Sequence, residues 1–334
     1  MRIALDAMGS DNAPAAELEG MYLALEENQN LEIVLVGRDE LLRGANEKFP
    51  DRVEILATSD IVTMHESPAD ALRNKRNSSI AKGIELLKNG KVAGFVSAGN
   101  TGAVMAFALS ILQNIPGVYR PTLATFFPTL RGTALVLDVG ANVDPKPINL
   151  LQFAVMGSIV ASHILKKANP TVGLLNIGKE PQKGNELTQS AFKLLAKSGL
   201  NFMGNLEAND VFKGSADVIV CDGFVGNVML KFGEGMVEII QETLKEYLAS
   251  ETKYRMRRWL SKPVLNEFIS RMDYEEQGGA MLLGVMGTVV CAHGRSRPKA
   301  IKNAINTAVF YSQEQIVSHI QEKFSNLVKN NETG

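Results

Sequence analysis

Short apolar runs rich in β-branched residues recur along the chain at 3–7, 32–36, 53–57, 94–97, 134–139, 172–177, 202–205 and 218–221. Between them, at 15–26, 78–88, 101–112 and 186–196, apolar residues recur three and four apart. The first pattern predicts buried strands and the second amphipathic helices. Their alternation predicts crossover units, hence a three-layer α/β/α fold with a mostly parallel sheet covered on both faces. A charge-free run over 147–165 carries Asn149, Gln152, Ser158, Ser162 and His163, which favours a buried helix over a membrane span. The glycine-rich apolar stretch 278–294 reads either as tightly packed strands or as a surface that admits a close ligand. Residues 297–329 predict a closing helix. No low-complexity linker interrupts the chain, so 1–334 is expected to be one domain.

Ligands of such sheets collect at the carboxyl ends of strands, and the loops there share Gly with Asn or Asp. In 217–231 an apolar strand breaks at Asp222-Gly223, and Gly226-Asn227 opens a long amphipathic segment. A strand, a glycine turn and a helix start aim backbone N–H groups and a positive helix end at one point, which suits an anion. Any strand-to-helix turn favours Gly and Asn; repetition is what suggests function. Similar turns occupy 6–14, 97–103, 138–145 and 176–185, and their convergence at one sheet edge would form a cleft for phosphate or another oxyanion. The first turn lacks G-x-G-x-x-G and the chain lacks G-x-x-x-x-G-K-[ST], against an ordinary dinucleotide dehydrogenase or a nucleoside triphosphatase.

Lys and Arg number 35 against 36 Asp and Glu, a net charge of -1. No global basic excess points to nucleic acid. Cys221 and Cys291, the only cysteines, are too few and too far apart for a zinc motif or a disulfide framework, which fits a reducing cytoplasm. The first residues reach Asp6 before any apolar run of signal-peptide length.

Taken together, the segments Leu5-Asp6-Ala7-Met8-Gly9-Ser10-Asp11, His65-Glu66-Ser67-Pro68, Ser97-Ala98-Gly99-Asn100-Thr101-Gly102-Ala103, Leu137-Asp138-Val139-Gly140-Ala141-Asn142 and Cys221-Asp222-Gly223-Phe224-Val225-Gly226-Asn227 resemble the bacterial acyl-acyl-carrier-protein:phosphate acyltransferase family of phospholipid synthesis. The resemblance implies a fold like that of phosphotransacetylases and isopropylmalate dehydrogenases and a homodimer. It implies transfer of a fatty acyl group from acyl carrier protein to inorganic phosphate, and a product for a membrane glycerol-3-phosphate acyltransferase; no cofactor and no metal site is assigned.

Phosphate is already an anionic oxygen nucleophile, so the site must hold it, orient a thioester carbonyl and stabilise the developing oxyanion. Lys183 and Asn227 are the expected catalytic residues. By residue type alone Lys183 is equally a solvated loop lysine and Asn227 a helix cap; the resemblance favours function. The expected phosphate- and substrate-binding set is Asp6, Gly9, Asp11, Gly99, Asn100, Thr101, Asp138, Gly140, Asn142, Asp222, Gly223 and Gly226. One of Asn100 and Thr101 should cap the next helix and the other hold phosphate. The aspartates should fix loop backbones rather than a metal. Cys221 should be an inert buried thiol, and His65 a hydrogen-bonded structural residue.

Acyl carrier proteins are acidic, and basic runs at 73–76 and 253–262 could receive one, or could simply be solvated helix faces. Residues 237–272 predict two long helices meeting around Ser261-Lys262-Pro263, a helical hairpin excursion from the main body. Trp259, Leu260 and Val264 lie near its bend. Such a pair suits dimerisation, peripheral contact with the inner face of the membrane, or both. Two rivals remain: a metal- and NAD-dependent decarboxylating dehydrogenase of the same fold, and a non-catalytic scaffold that binds acyl carrier protein.

Overall fold

The computed structural model describes residues 1–45, 48–249 and 278–332. Its strands are β1 (Arg2–Asp6), β2 (Glu32–Gly37), β3 (Val53–Ala57), β4 (Gly94–Ser97), β5 (Thr122–Thr129), β6 (Gly132–Leu137), β7 (Val172–Leu175), β8 (Phe202–Leu206), β9 (Val218–Val220), β10 (Ala280–Leu283) and β11 (Thr288–Cys291). The helices are α1 (Ala15–Glu27), α2 (Asp39–Ala45), α3 (Pro68–Asn74), α4 (Ser79–Lys88), α5 (Thr101–Ile111), α6 (Pro147–Ile164), α7 (Glu186–Ala196), α8 (Ala208–Lys213), α9 (Gly223–Ala249), α10 (Pro298–Gln313) and α11 (Ile316–Glu332).

The strands join in one sheet of order β3-β2-β1-β4-β11-β10-β5-β6-β9-β7-β8. Side chains alternate across it. Ile3 and Leu5 pack into one core with Phe153 of α6 and Ile301 of α10, whereas Ala4 and Val34 pack into a second core with Ile84 of α4 and Phe107 of α5. Both faces are therefore helix-covered, which gives the expected three layers. Each fully buried large apolar side chain contributes about 1.5–3 kcal/mol by area. The α6 helix is the one described helix long and apolar enough to cross a membrane; half of it is buried, and it packs on β6 and β9.

The sequence pattern missed β5, while β10 and β11 take up the strand reading of 278–294; these three set the topology. Pairing is parallel except where β10 meets β11 and β5, and where β5 meets β6. Three successive reversals make β6, β9, β7 and β8 run opposite to β1 through β4. Val96, Val290, Met281, Ala124, Leu137 and Val220 are successive register partners. The carboxyl ends of β4 and β11 thus reach the same level of the sheet as those of β6 and β9, but from the opposite direction. The glycine turns do not share one edge; they meet across a seam. Two helix boundaries also differ. The chain beyond Arg297 forms two helices, broken where Gln315 takes a positive φ of 51°. The long helix begins at Gly223, ahead of Gly226-Asn227, because the Asp222 carboxylate accepts the Val225 amide at 2.9 Å and caps it.

Candidate active site

At the seam lies a cavity of about 370 Å³, walled by Thr101 at the first turn of α5, Val139 and Gly140 after β6, and His293 and Gly294 after β11. Asn227, Leu230, Lys231 and Glu234, one face of α9, form the opposite wall. Spacings of three and four residues put those α9 side chains on one stripe.

The walls are built by residues that do not themselves line the cavity. Asp138, fully buried, gathers the turn after β6: Oδ1 accepts the amides of Leu123, Gly140 and Ala141 at 3.1, 3.2 and 2.9 Å, and Oδ2 accepts the Asn142 amide at 2.7 Å. Burial raises its pKa against these bonds. Asn142 donates its side-chain amide to Pro121 O at 2.7 Å and to Asp138. Gly140, at φ 139°, lies against Asn227: a Cβ there would stand 3.7 Å from the Asn227 Cβ. Asp6 is likewise buried, accepts Ser97 Oγ at 2.6 Å and the Met8 amide at 3.0 Å, and has its pKa raised by burial. Its strand end carries Gly9, which is packed on Gly99. Asn100 caps α5 by accepting the Ala103 amide at 3.1 Å, and donates to the carbonyls of Thr63, Met64 and Glu66. That leaves Thr101 facing the cavity.

The charged edge of the cavity was not read from the sequence. Lys231 Nζ lies 2.5 Å from His293 Nε2 and 2.8 Å from a Glu234 carboxylate oxygen, while His293 Nδ1 accepts the Arg295 amide at 3.2 Å. Desolvation, then the Lys231 charge, lowers the His293 pKa. Lys231 stands one helical turn beyond Asn227, a spacing visible in the sequence, but its meeting with a residue 62 positions away was not. Cys291 also lines the cavity, its pKa pushed up to about 12 by burial. Cys221 is buried with its thiol well above the usual range and its Sγ 3.4 Å from Asp138 O. Both thiols are poor nucleophiles.

Of the expected residues, then, Thr101, Gly140 and Asn227 line the cavity, Asp6, Gly9, Gly99, Asn100, Asp138, Asn142, Gly223 and Gly226 shape its walls, and Asp222 caps α9 and lines the groove on its other side. Asp11 hydrogen-bonds its amide to Gly294 O at 2.8 Å and so ties the first loop to the β11 segment. Asn227 is not the cap of its helix; Asp222 is. Lys183 is exposed on the loop after β7 and lines neither this cavity nor a second, apolar groove of about 880 Å³ that includes its neighbour Gly184. That groove occupies the other side of α9, among Ile177, Phe212, Phe224, Val228 and Phe232. His65 is exposed and makes no hydrogen bond among the described residues, contrary to expectation. Within the basic run 73–76, Lys75 is committed to Glu66 at 2.7 Å and to Ile61 O. Trp259, Leu260, Val264, the second basic run and the bend of the hairpin lie outside the described residues.

The fold is similar to that of a phosphotransacetylase from Streptococcus pyogenes, with a TM-score of 0.60 at 16% identity over 95% of this chain and 94% of that one. It is also similar to a 4-hydroxythreonine-4-phosphate dehydrogenase from Klebsiella pneumoniae, with a TM-score of 0.51 at 14% identity over 94% and 98%. In sequence the chain is 49% identical over 326 residues to a phosphate acyltransferase from Heliobacterium modesticaldum, covering 96% of this chain and 97% of the relative. It is 46% identical over 330 residues to a phosphate acyltransferase from Halothermothrix orenii, covering 97% and 99%. The model of a family described as fatty acid synthesis protein matches residues 1–319. On that evidence the chain belongs to this fatty acid synthesis family, among relatives named phosphate acyltransferase.

Proposed function

We propose that the seam cavity transfers a fatty acyl group from the thioester of acyl carrier protein to inorganic phosphate. One phosphate oxygen attacks the carbonyl carbon and forms the new C–O bond. The tetrahedral oxyanion then collapses, the C–S bond breaks, and the carrier's thiolate leaves with the electron pair. The observation that carries this reading is that the start of α5, the Gly140 turn and the Asn227 face of α9 converge in one cavity. The first turn of α5, whose Thr101 faces the cavity, favours an anion there, while the amides of the Gly140 turn are taken by Asp138. Asn227 is assigned to the oxyanion. Lys183 would take part only through closure of its loop, and substitution decides its role. The names of the relatives favour acyl transfer over a decarboxylating dehydrogenase or a passive scaffold.

The test is acyl phosphate formation by the purified chain, trapped as a hydroxamate, with carrier-protein and coenzyme A thioesters compared. Phosphate-dependent loss of thioester supports the reading; no such loss, with nicotinamide reduction on a hydroxy acid instead, overturns it.

The α9 stripe supports a homodimer. Phe224 and Phe232, eight residues apart on one helix face, are 61% and 66% exposed, and Ile177 beside them is 80% exposed. An apolar strip of that kind needs a partner surface, and a second copy supplies one. Peripheral membrane contact through Trp259, Leu260 and Val264, on the cytoplasmic side, would bring the product to a membrane glycerol-3-phosphate acyltransferase. Polar substitution of Trp259 and Leu260 should weaken liposome binding more than activity in solution.

A further inference from the structure

We propose that Lys231 and His293 form the clamp that receives inorganic phosphate in the cavity, an assignment that rests on the acyl-to-phosphate reading above. The geometry is that of two donors meeting. His293 Nδ1 accepts the Arg295 amide at 3.2 Å, and a neutral imidazole that accepts at Nδ1 carries its proton on Nε2. Nε2 stands 2.5 Å from Lys231 Nζ, and an ammonium has only donors. Glu234 accepts from the same ammonium at 2.8 Å and fixes its position. Two protonated nitrogens cannot rest 2.5 Å apart, so a phosphate that accepts from both, one oxygen to each, must part them and replace the close contact with charge-assisted bonds.

The surroundings agree. Burial and the charge of Lys231 keep the His293 ring neutral, and the other charged groups that act on it are Glu234, Arg295 and Asp11. Desolvation of the ring strengthens any bond it donates to an anion. Lys231 follows Asn227 by one turn on the same helix face, which separates their Cβ atoms by about 5–6 Å. Phosphate held at the clamp is then adjacent to a carbonyl oriented by Asn227, which is the arrangement that in-place attack requires. Leu230, Leu123 and Phe126 also line the cavity, while the Lys231 side chain is 47% exposed, so an anion can reach it from solvent.

Calorimetric titration of the full chain with inorganic phosphate tests the clamp, using the parent protein, Lys231→Met, His293→Leu and His293→Gln. Loss of a charge-assisted donor should weaken phosphate binding by about tenfold or more in the first two variants. Gln can present an N–H near the position of Nε2 and should hold the loss to about threefold. In steady state the phosphate KM should rise in step while the thioester KM stays put. Phosphate affinity unchanged in both Lys231→Met and His293→Leu, or no phosphate binding by the parent, overturns the clamp. A parent that binds phosphate through these residues yet forms no acyl phosphate would leave the clamp standing and overturn the proposed reaction. Thermal melts establish folding; should His293→Leu not fold, Lys231→Met and His293→Gln decide the matter.

Discussion

Gly226 passes so close to Asp138 that a Cβ on it would come within 1.8 Å of the Asp138 carbonyl oxygen. This approach seats the first turns of α9 on the turn after β6 and sets the distance between Asn227 and Gly140. Gly226→Ala must push one of the two away. Overpacking of this kind costs about 1–3 kcal/mol, so a lower melting temperature is expected together with loss of acyl phosphate formation. A variant of parental stability and rate would show that the contact positions nothing.

Asn227→Ala should lower kcat about a hundredfold with the fold retained, the usual effect of removing one oxyanion donor. Lys183→Ala should cost less, about tenfold, since Lys183 is exposed and does not line the cavity. Rate measurements on the two variants check this. A Lys183→Ala rate equal to the parent's removes Lys183 from the mechanism.

Much of this site was legible beforehand and some was not. Runs such as 53–57 and 94–97 were found because β-branched stretches between turn residues have one simple reading. β5 was hidden because Pro128 argues against a strand; Pro128 stands beyond the three residues that pair with β10, and pairs only toward β6. For β10 and β11 the glycines leave the strand reading open, since they fit close packing and ligand approach alike. Turn chemistry correctly gave Asp138 as a residue that fixes its loop backbone and one of Asn100 and Thr101 as the cap of the next helix. It misplaced the start of α9, since Asp222-Gly223 reads as a break when Asp is in fact the cap. The Lys231 and His293 pair could not be read, because proximity across the seam depends on the reversals of β10 and β5, and no local pattern encodes a reversal.

Glu17 is fully buried in α1, with Oε1 accepting the Ser10 amide at 2.9 Å and Oε2 without a partner. Burial raises its pKa to about 7. The folded protein therefore holds this proton where the unfolded chain, near 4.5, has lost it. Stability is full below about 4.5 and declines as pH rises toward 7, by at most about 3 kcal/mol. Glu17→Gln keeps an acceptor for Ser10 and should raise the melting temperature at pH 8 but not at pH 4.5. Equal shifts at both values would rule this out.

His163 of α6 stacks on His319 of α11, ring centroids 3.9 Å apart. Desolvation, then His319, lowers the His163 pKa, with Glu314 opposing and Lys166 adding to the fall. Here the unfolded chain binds the proton first as pH drops below about 6.5, so stability declines with falling pH in that range. Denaturation of His163→Phe, which keeps a stacked ring, should show a shallower decline between pH 7 and 5.5 than the parent.

Phe232→Glu should convert the proposed dimer to monomer in sedimentation, because burying an unpaired carboxylate between apolar faces outweighs the remaining contact. A variant that stays dimeric places the interface elsewhere.

One rod, α9, separates the seam cavity and its charged edge from an oily flank. Its two sides cannot be tuned independently, for any slide or roll that reshapes the Phe224 and Phe232 flank also displaces Asn227 and Lys231 against the β6 turn. A second copy seated on that flank, as proposed, would be mechanically geared to turnover, and a change in either would pass through the other.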